Sequence, residues 1–311
     1  MTNDYLEQFK EYFIIKGYTS KSIQSISLNI SYFLKWIETE NLTIEEVRNN
    51  DVLAYIQYKR KTGNKPRTLQ LITIALNHFF NFLVAEHQFN ENPTSNVKIQ
   101  GIKRKTLQEI LTPQELETIY KSYNTQNTEL KTNDQRLATI STLAKKRNKI
   151  ILGLLVYQGI RSEELGKLEL TDLELREGKI TIQGSSRSNT RTLKLEPHQI
   201  IDLLDYINET RKEILQTTNK TSNKLFISVG TSDNYKNLLQ KLVKNIKALN
   251  PKLKDIKHIR TSVITNWLKT NNLRKTQYMA GHRYVSSTES YQANNIDALK
   301  EDLLKYHPLQ L

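Results

Sequence analysis

The chain has 311 residues, of which 37% are apolar and none is cysteine, a length that accommodates two globular domains with ordinary cores. The lack of cysteine excludes disulfides, thiolate metal ligands and a cysteine nucleophile, and no apolar run is expected to cross a membrane, which predicts a cytoplasmic protein. The formal net charge of +14 favours a polyanionic partner, and nucleic acid fits this excess best.

Residues 1–97 are predicted to form a helical domain. Apolar side chains recur every three or four residues between positions 23 and 37 and again between positions 69 and 83, which is the spacing of one helix face. Thr43 and Glu46 have the spacing of a capping box at a helix start. The pattern predicts about four helices and no strand.

A basic linker is predicted at residues 98–111. This stretch contains Lys103, Arg104 and Lys105 and almost no apolar pattern, as is typical of an exposed segment. Residues 101–311 hold 35 Lys or Arg against 22 Asp or Glu, so nearly all the excess positive charge lies beyond the first domain. We expect the linker to contact a DNA backbone.

Residues 112–311 are predicted to form a second domain. Thr112 and Pro113 have the pattern of an N-cap followed by the first helical position. The stretches "KITIQ" and "TRTLKLE" are the only convincing strand pair, and the remaining patterns are helical. The expected fold is therefore mainly α with a small β-hairpin or sheet in the C-terminal domain.

Five side chains in the second domain suggest chemistry on a phosphodiester. They are Arg161, Lys257, Arg260, His282 and Tyr291. Each has a structural explanation when taken alone, such as an ion pair with a neighbouring glutamate for the first arginine. Together they offer two guanidiniums that bind phosphate oxygens, a phenol that can attack phosphorus, and cations that favour the phenolate. No metal or cofactor is needed for such a reaction.

The order of these motifs resembles the tyrosine site-specific recombinases, or phage integrase family. The order is an arginine, a hairpin, Lys-x-x-Arg, Gly-His, and a tyrosine nine residues after the histidine. The resemblance implies a helical core DNA-binding domain, SAM-like in fold, followed by a catalytic integrase-type domain. It also implies that Arg161 and Arg260 are the catalytic arginines, His282 the motif histidine and Tyr291 the nucleophile.

Two positions depart from the family pattern. Lys257 lies where the family usually has histidine and sometimes lysine. In the hairpin turn, Gly184 is followed by Ser185 where members normally have a catalytic lysine, and Arg187 is the only cation of the turn. We expect Arg187 to assist the leaving 5′-hydroxyl, although arginine donates a proton much less readily than lysine.

The resemblance implies that the protein cuts and rejoins double-stranded DNA at specific sites through a 3′-phosphotyrosyl intermediate, as enzymes of mobile elements do. Two alternatives remain open at this point. A type IB topoisomerase would use nearly the same residues to relax DNA, and a non-cleaving regulator would keep the charge and the helices alone.

The family also implies a homotetramer on two DNA sites. The C-terminal stretch carries an apolar stripe formed by Ile296, Leu299, Leu303 and Leu304. This stripe resembles the segment that family members pass to a neighbouring subunit, and packing on its own domain is the alternative.

Overall fold

The structure is a computed structural model. It divides into two compact units, residues 1–106 and residues 107–311. It describes residues 2–87, 89–102, 109–123, 134–186, 188–230 and 235–292, with side chains described at all of these except 2, 3, 236 and 237. The predicted linker cations, Arg187 and the apolar stripe near the C-terminus lie outside the described residues.

The first unit is helical, as the sequence periodicity predicted. Its helices are α1 (Thr2–Ile15), α2 (Ser20–Thr39), α3 (Asn49–Lys61) and α4 (Pro66–Glu86). Aromatic side chains dominate its core, where Phe9 meets Phe79 edge to face with ring centroids 5.6 Å apart and Phe33 meets Phe80 at 5.9 Å. Such pairs add specific geometry to the burial of apolar area.

The Thr43–Glu46 pair differs from the sequence prediction. The Glu46 carboxylate accepts hydrogen bonds from the backbone N–H of Thr43 at 3.1 Å and from its hydroxyl at 2.8 Å. These contacts close a short turn, and helix α3 begins only at Asn49. The capping pattern is therefore present without a helix directly after it.

Helix α4 corrects the expectation that no segment could cross a membrane. With 21 residues it is long and apolar enough by composition alone. Half of its most apolar stretch is buried inside the unit, where Leu69, Leu76 and Phe79 are fully enclosed. A core helix of a water-soluble bundle has this same composition, and the burial accounts for the apolar character of α4.

The second unit is also mainly helical, and its small antiparallel sheet confirms the predicted fold class. The sheet strands are β1 (Leu173–Glu174), β2 (Lys179–Ile182) and β3 (Arg191–Lys194). Its α-helices are α5 (Pro113–Lys121), α6 (Gln135–Tyr157), α7 (Ser162–Leu165), α8 (Pro197–Asp205), α9 (Arg211–Thr218), α10 (Tyr235–Leu249), α11 (Ile256–Thr270), α12 (Leu273–Ala280) and α13 (Val285–Gln292). A 3₁₀ turn spans Leu170–Asp172, and a π-helical turn, Tyr206–Thr210, joins α8 to α9.

The predicted hairpin is present and gains one strand. Strands β2 and β3 pair with Ile182 opposite Arg191 and Lys179 opposite Lys194. The short strand β1 adds to the other edge of β2, and the sequence reading did not find it because two residues are too few to show alternation. The result is a three-stranded sheet in the order β1-β2-β3.

Helix α6 lies at the centre of the second unit. Its C-terminal half is buried on all sides from Ile150 to Val156, which is the pattern of a core helix. Helix α11 packs against it. The Ser262 hydroxyl of α11 accepts a hydrogen bond from the backbone N–H of Leu111 at 3.0 Å, and Thr112 caps α5 as predicted.

Because the two units have separate hydrophobic cores, we expect a cavity in one core to destabilise mainly the unit that contains it. Replacing the fully buried Leu76 by alanine should cost about 2–5 kcal/mol, because Leu76 belongs to the core cluster of the first unit. Hydrogen exchange should show faster exchange across residues 1–106 and unchanged protection of α6.

Leu71→Ala is the matched control, because Leu71 lies on the same helix and is 52% exposed. It should change the exchange rates little. Equal loss of protection in both units after Leu76→Ala would contradict the prediction.

Candidate active site

Four predicted site residues lie in separate elements whose ends meet in the second unit. Arg161 precedes α7, Arg260 lies in the second turn of α11, His282 follows α12, and Tyr291 lies near the end of α13. Helix α13 packs against both α11 and α12. The ends of these four elements therefore bring together side chains up to 130 residues apart in the chain.

Arg260 is the most deeply anchored of the predicted cations. Its side chain donates through Nη1 to the carbonyl of Gly159 and through Nη2 to the carbonyl of Ala280 at 2.6 Å. These carbonyls lie at the C-terminal ends of α6 and α12, where helix geometry leaves acceptors without partners. Burial first, and the charge of Arg161 second, hold the pKa of Arg260 below its usual value, but arginine remains charged in proteins.

The contacts of His282 determine which of its ring nitrogens carries the proton. Nε2 lies 3.4 Å from Nη2 of Arg260, and because a guanidinium can only donate, Nε2 must accept. Nδ1 therefore carries the proton and donates to the hydroxyl of Thr288 at 2.9 Å. The Thr288 side chain is fully buried, so it holds the ring in one orientation.

The surroundings of His282 keep its imidazole neutral. Burial, followed by the charges of Arg260, Arg161 and Arg191, lowers the pKa of His282 from 6.5 to about 4. At neutral pH the ring therefore carries no charge, and the Nε2 lone pair faces the arginines. A neutral base held among cations is one arrangement that suits proton transfer.

Tyr291 stacks on His282. The ring centroids are 5.6 Å apart and the ring planes differ by 19°. Tyr291 is half-buried, and the helix that carries it also carries Thr288 one turn earlier. The histidine and the tyrosine are thus fixed by the same short helix, α13.

The sequence reading missed the carboxylate of the site. Glu164 accepts a hydrogen bond from Nη1 of Arg161 at 2.9 Å and two from Arg191, at 3.1 and 2.8 Å. The ion pair considered as a structural explanation for Arg161 therefore exists inside the site. Glu164 could have been found from its position three residues after Arg161.

Arg191 and Thr288 were also missed. Arg191 and Leu193 share the buried face of β3. A charged residue at such a position indicates a buried ion pair, because an unpaired charge is costly to bury. Thr288 belongs to the hydroxyl-rich run "SST" between the histidine and the tyrosine. It lies six residues after His282, and its contact with the imidazole depends on how α13 packs against the turn that carries His282.

The other predicted residues lie at the edge of the site or beyond the described chain. Lys257 is exposed in the first turn of α11, and its side chain has no hydrogen-bond or ion-pair partner among the described residues. The neighbouring His258 is buried and bonds through Nε2 to the carbonyl of Glu109 at 2.6 Å, a structural contact. Arg187 lies outside the described residues. In the described part of the chain, no three His, Cys, Asp or Glu side chains are grouped so that they could hold a metal ion.

Comparison with protein families gives two matches that together span both units. The model of the phage integrase family matches residues 109–297. The model of the phage integrase N-terminal SAM-like domain matches residues 6–87. The first match alone includes more than half of the chain.

Curated relatives agree over nearly the full length. The tyrosine recombinase XerD of Listeria innocua is 24% identical over 313 residues, covering 98% of this chain and 99% of the relative. The tyrosine recombinase XerC of Bacillus subtilis is 22% identical over 315 residues, covering 98% and 96%.

Solved structures share the fold. The XerH site-specific recombinase bound to palindromic difH substrate, a post-cleavage complex, aligns with a TM-score of 0.69 and 18% identity, covering 91% of this chain and 80% of that one. A lambda integrase tetramer bound to a Holliday junction aligns with a TM-score of 0.61 and 14% identity, covering 94% and 77%.

The lowered pKa of His282 predicts acid sensitivity in a defined range. The unfolded chain takes up a proton near pH 6.5 and the folded chain only near pH 4, so between these values the unfolded state binds more protons and stability falls as the pH is lowered. In His282→Gln this contribution is absent. Urea denaturation across the range should therefore give a shallower decline in the free energy of unfolding for the variant than for the wild type.

Equal slopes for the two proteins would contradict this assignment. The pH range in which Glu164 titrates is lower. Burial raises the pKa of Glu164, but the hydrogen bonds and charges of Arg191 and Arg161 outweigh burial and hold this pKa at about 2. Stability from Glu164 is present above pH 4.5, the ordinary value, and is lost only as the pH falls below it towards 2.

Proposed function

The chain belongs to the phage integrase family and is a tyrosine recombinase, and we propose that it cuts and rejoins DNA where Tyr291 stacks on His282 beside Arg260. The observation that carries this proposal is the joint geometry of the phenol, the neutral imidazole and the buried guanidinium. The reaction is the transfer of a DNA phosphoryl group from a 5′-oxygen to tyrosine and back to another 5′-oxygen.

Arg161 and Arg260 are the proposed ligands of the scissile phosphate. Three guanidiniums, with Arg191 the third, lie around the single carboxylate of Glu164, which leaves two excess positive charges. Attack on phosphorus adds negative charge to the nonbridging oxygens, and fixed cations stabilise that charge more than they stabilise the substrate. Lys257, exposed on the same helix as Arg260, is proposed to reach the same phosphate.

Tyr291 is the proposed nucleophile. Its oxygen forms a bond to phosphorus while the bond to the 5′-oxygen breaks, which leaves a 3′-phosphotyrosyl link and a free 5′-hydroxyl. The phenol loses a proton in this step. Within the cluster, the Nε2 of His282 is the proposed acceptor once its long 3.4 Å contact with Arg260 opens, because guanidiniums cannot accept and the Glu164 carboxylate already receives four hydrogen bonds.

The departing 5′-oxygen needs a proton or a cation, and Arg187 is proposed to assist it. The hairpin that would carry the family's lysine here has Arg187 as the only cation between the two strands. Arginine stabilises charge better than it donates a proton, so cleavage is expected to be slow compared with members that retain the lysine.

The proposed partner is duplex DNA carrying specific recombination sites, bound in the cytoplasm by a homotetramer on two sites. The relatives include a lambda integrase tetramer on a Holliday junction and a XerH recombinase on its substrate. The helical domain of residues 1–97 is proposed to bind DNA beside the catalytic domain of residues 112–311. Lys103, Arg104 and Lys105 of the linker would add phosphate contacts, whose strength falls with salt.

The test of Tyr291 uses a nicked duplex containing the sequence recovered by selecting bound DNA from a random pool. After cleavage the short downstream strand diffuses away, so the wild type should accumulate a covalent protein–DNA complex on a denaturing gel. Tyr291→Phe should bind the same duplex and form no complex, because it lacks the attacking oxygen. A chelator should leave the yield unchanged.

Tyr284→Phe is the matched control, because Tyr284 is only two residues from His282 and is 67% exposed. It should form the covalent complex like the wild type, and complex formation by Tyr291→Phe would overturn the assignment. A wild type that binds but never links to DNA would be a non-cleaving regulator. Relaxed circles without exchanged segments would indicate a topoisomerase.

The role of Arg187 is tested with a substrate whose bridging 5′-oxygen is replaced by sulfur. A thiolate leaves without protonation, so Arg187→Ala should slow cleavage of the natural phosphate by at least about tenfold, the worth of one hydrogen bond to a charged group, and should cleave the sulfur substrate at nearly the wild-type rate. Arg187→Lys should retain or raise the rate on the natural phosphate. If Arg187→Ala slows both substrates equally, Arg187 contacts DNA without assisting the leaving group.

A further inference from the structure

Arg191 is a buried cation of the site with no role in the reaction described so far. It lies on the core-facing side of β3, and its side chain is fully enclosed, with a relative exposure of 0%. A charge in such a place is costly unless it is paired and hydrogen-bonded. Its ion-pair partner among the described residues is Glu164.

The Glu164 carboxylate divides its acceptor positions between two arginines. Oε1 accepts from Nη1 of Arg161 at 2.9 Å and from Nη1 of Arg191 at 3.1 Å. Oε2 accepts from the backbone N–H of Arg161 at 2.9 Å and from Nη2 of Arg191 at 2.8 Å. The fork of Arg191 thus spans both oxygens, a geometry that a lysine ammonium cannot reproduce.

This sharing sets the charge that a phosphate meets at Arg161. Glu164 and Arg161 alone would form a neutral pair, in which the carboxylate competes with the phosphate for the guanidinium. With Arg191 bound to the same carboxylate, the three groups carry one excess positive charge. Arg161 is 31% exposed on its side chain, so it is the member of the three that can reach a ligand.

Arg191 also lies directly against the turn that carries His282. A side chain at Gly281 would place its Cβ 2.4 Å from Nη1 of Arg191, and Gly281 has φ +62°, a conformation that favours glycine. The Gly281 carbonyl accepts a hydrogen bond from the N–H of Asn189 at 3.2 Å. Arg191, a residue of the hairpin, therefore lies against both Glu164, which binds Arg161, and the turn that leads to His282.

We propose that Arg191 is a positioning residue of the recombination reaction: it occupies Glu164 and so leaves the positive charge of Arg161 available to the scissile phosphate. This inference rests on the proposed function, in which Arg161 binds that phosphate. Arg191 touches no reacting atom. It acts through the charge and orientation of a neighbour.

The experiment compares two scissile groups in the nicked duplex described above. One is the natural phosphate, and the other is a methylphosphonate, in which a methyl group replaces one nonbridging oxygen and the linkage is uncharged. Arg191→Met should slow formation of the covalent complex on the phosphate by about ten- to hundredfold, the worth of one charge-assisted interaction. On the methylphosphonate the loss should be several-fold smaller, because less charge develops at Arg161.

A second substitution tests the competition directly. If Glu164 neutralises Arg161 when Arg191 is absent, then Glu164→Gln added to Arg191→Met should recover part of the lost rate on the phosphate. Arg191→Lys should fall between the wild type and Arg191→Met, and it provides the same comparison of substrates if Arg191→Met does not fold.

Arg211→Met is the matched control, because Arg211 is also buried in the second unit and, among the described residues, its side chain bonds to the backbone carbonyls of Ser222 and Lys224 and to no group of the site. Its loss should lower stability and leave the ratio of the two cleavage rates at the wild-type value. If the Arg191 variants also keep that ratio while the wild type cleaves, Arg191 is purely structural and the inference fails alone. A wild type that forms no complex with either substrate overturns the proposed function and this inference with it.

Discussion

A single buried carboxylate, that of Glu164, makes the concentration of positive charge in this protein possible. Burial and then the charges of Arg161 and Arg191 lower the pKa of Arg260, and burial and then the charges of all three arginines lower the pKa of His282. Three like charges in a largely buried volume would repel one another and lose their hydration. Glu164 offsets one charge and accepts four hydrogen bonds, which leaves a net positive site that is still compatible with a folded core.

The remaining support comes from the ends of helices. Arg260 lies between the C-terminal carbonyls of α6 and α12, so the same contacts satisfy orphan acceptors and fix a cation at the site. Gly159 and Gly281 both have positive φ; Gly159 carries one of these carbonyls, and Gly281 directly follows the other, that of Ala280. The glycines let the chain turn sharply at the place where an arginine must approach the backbone.

Fixed arginines of this kind suit a reaction in which negative charge develops on a phosphate and must be stabilised in the transition state. Cations already fixed by carbonyls and by a carboxylate need little reorganisation during the reaction, which is the main advantage of electrostatic preorganisation. Burial and the same cations keep His282 neutral, Arg260 fixes its tautomer and Thr288 holds the ring in place, so the ring offers a lone pair towards Arg260. The geometry therefore provides charge stabilisation and a proton acceptor side by side, with the phenol of Tyr291 against the ring.

Much of this could be predicted from local pattern. The spacing of apolar residues predicted the helical first unit, including helix α4. Alternating β-branched residues predicted the two strands of the hairpin, and the order of motifs from Arg161 to Tyr291 indicated the family. These features are short-range or depend only on order along the chain. The Thr43–Glu46 turn shows the limit of such rules, because a cap signal specifies contacts but not the length of the helix after it.

Only the tertiary structure decided which charged groups form ion pairs and which nitrogen of His282 carries the proton. Arg191 is 27 residues from Glu164 along the chain, and β3 reaches α7 only because the sheet packs against the core. Likewise, the proton on Nδ1 of His282 follows from Arg260, which is 22 residues away on α11. Sequence determines which side chains exist and which face of an element they occupy, whereas the partner of a buried charge is chosen by packing between distant elements, since burial makes an unpaired charge too costly to leave.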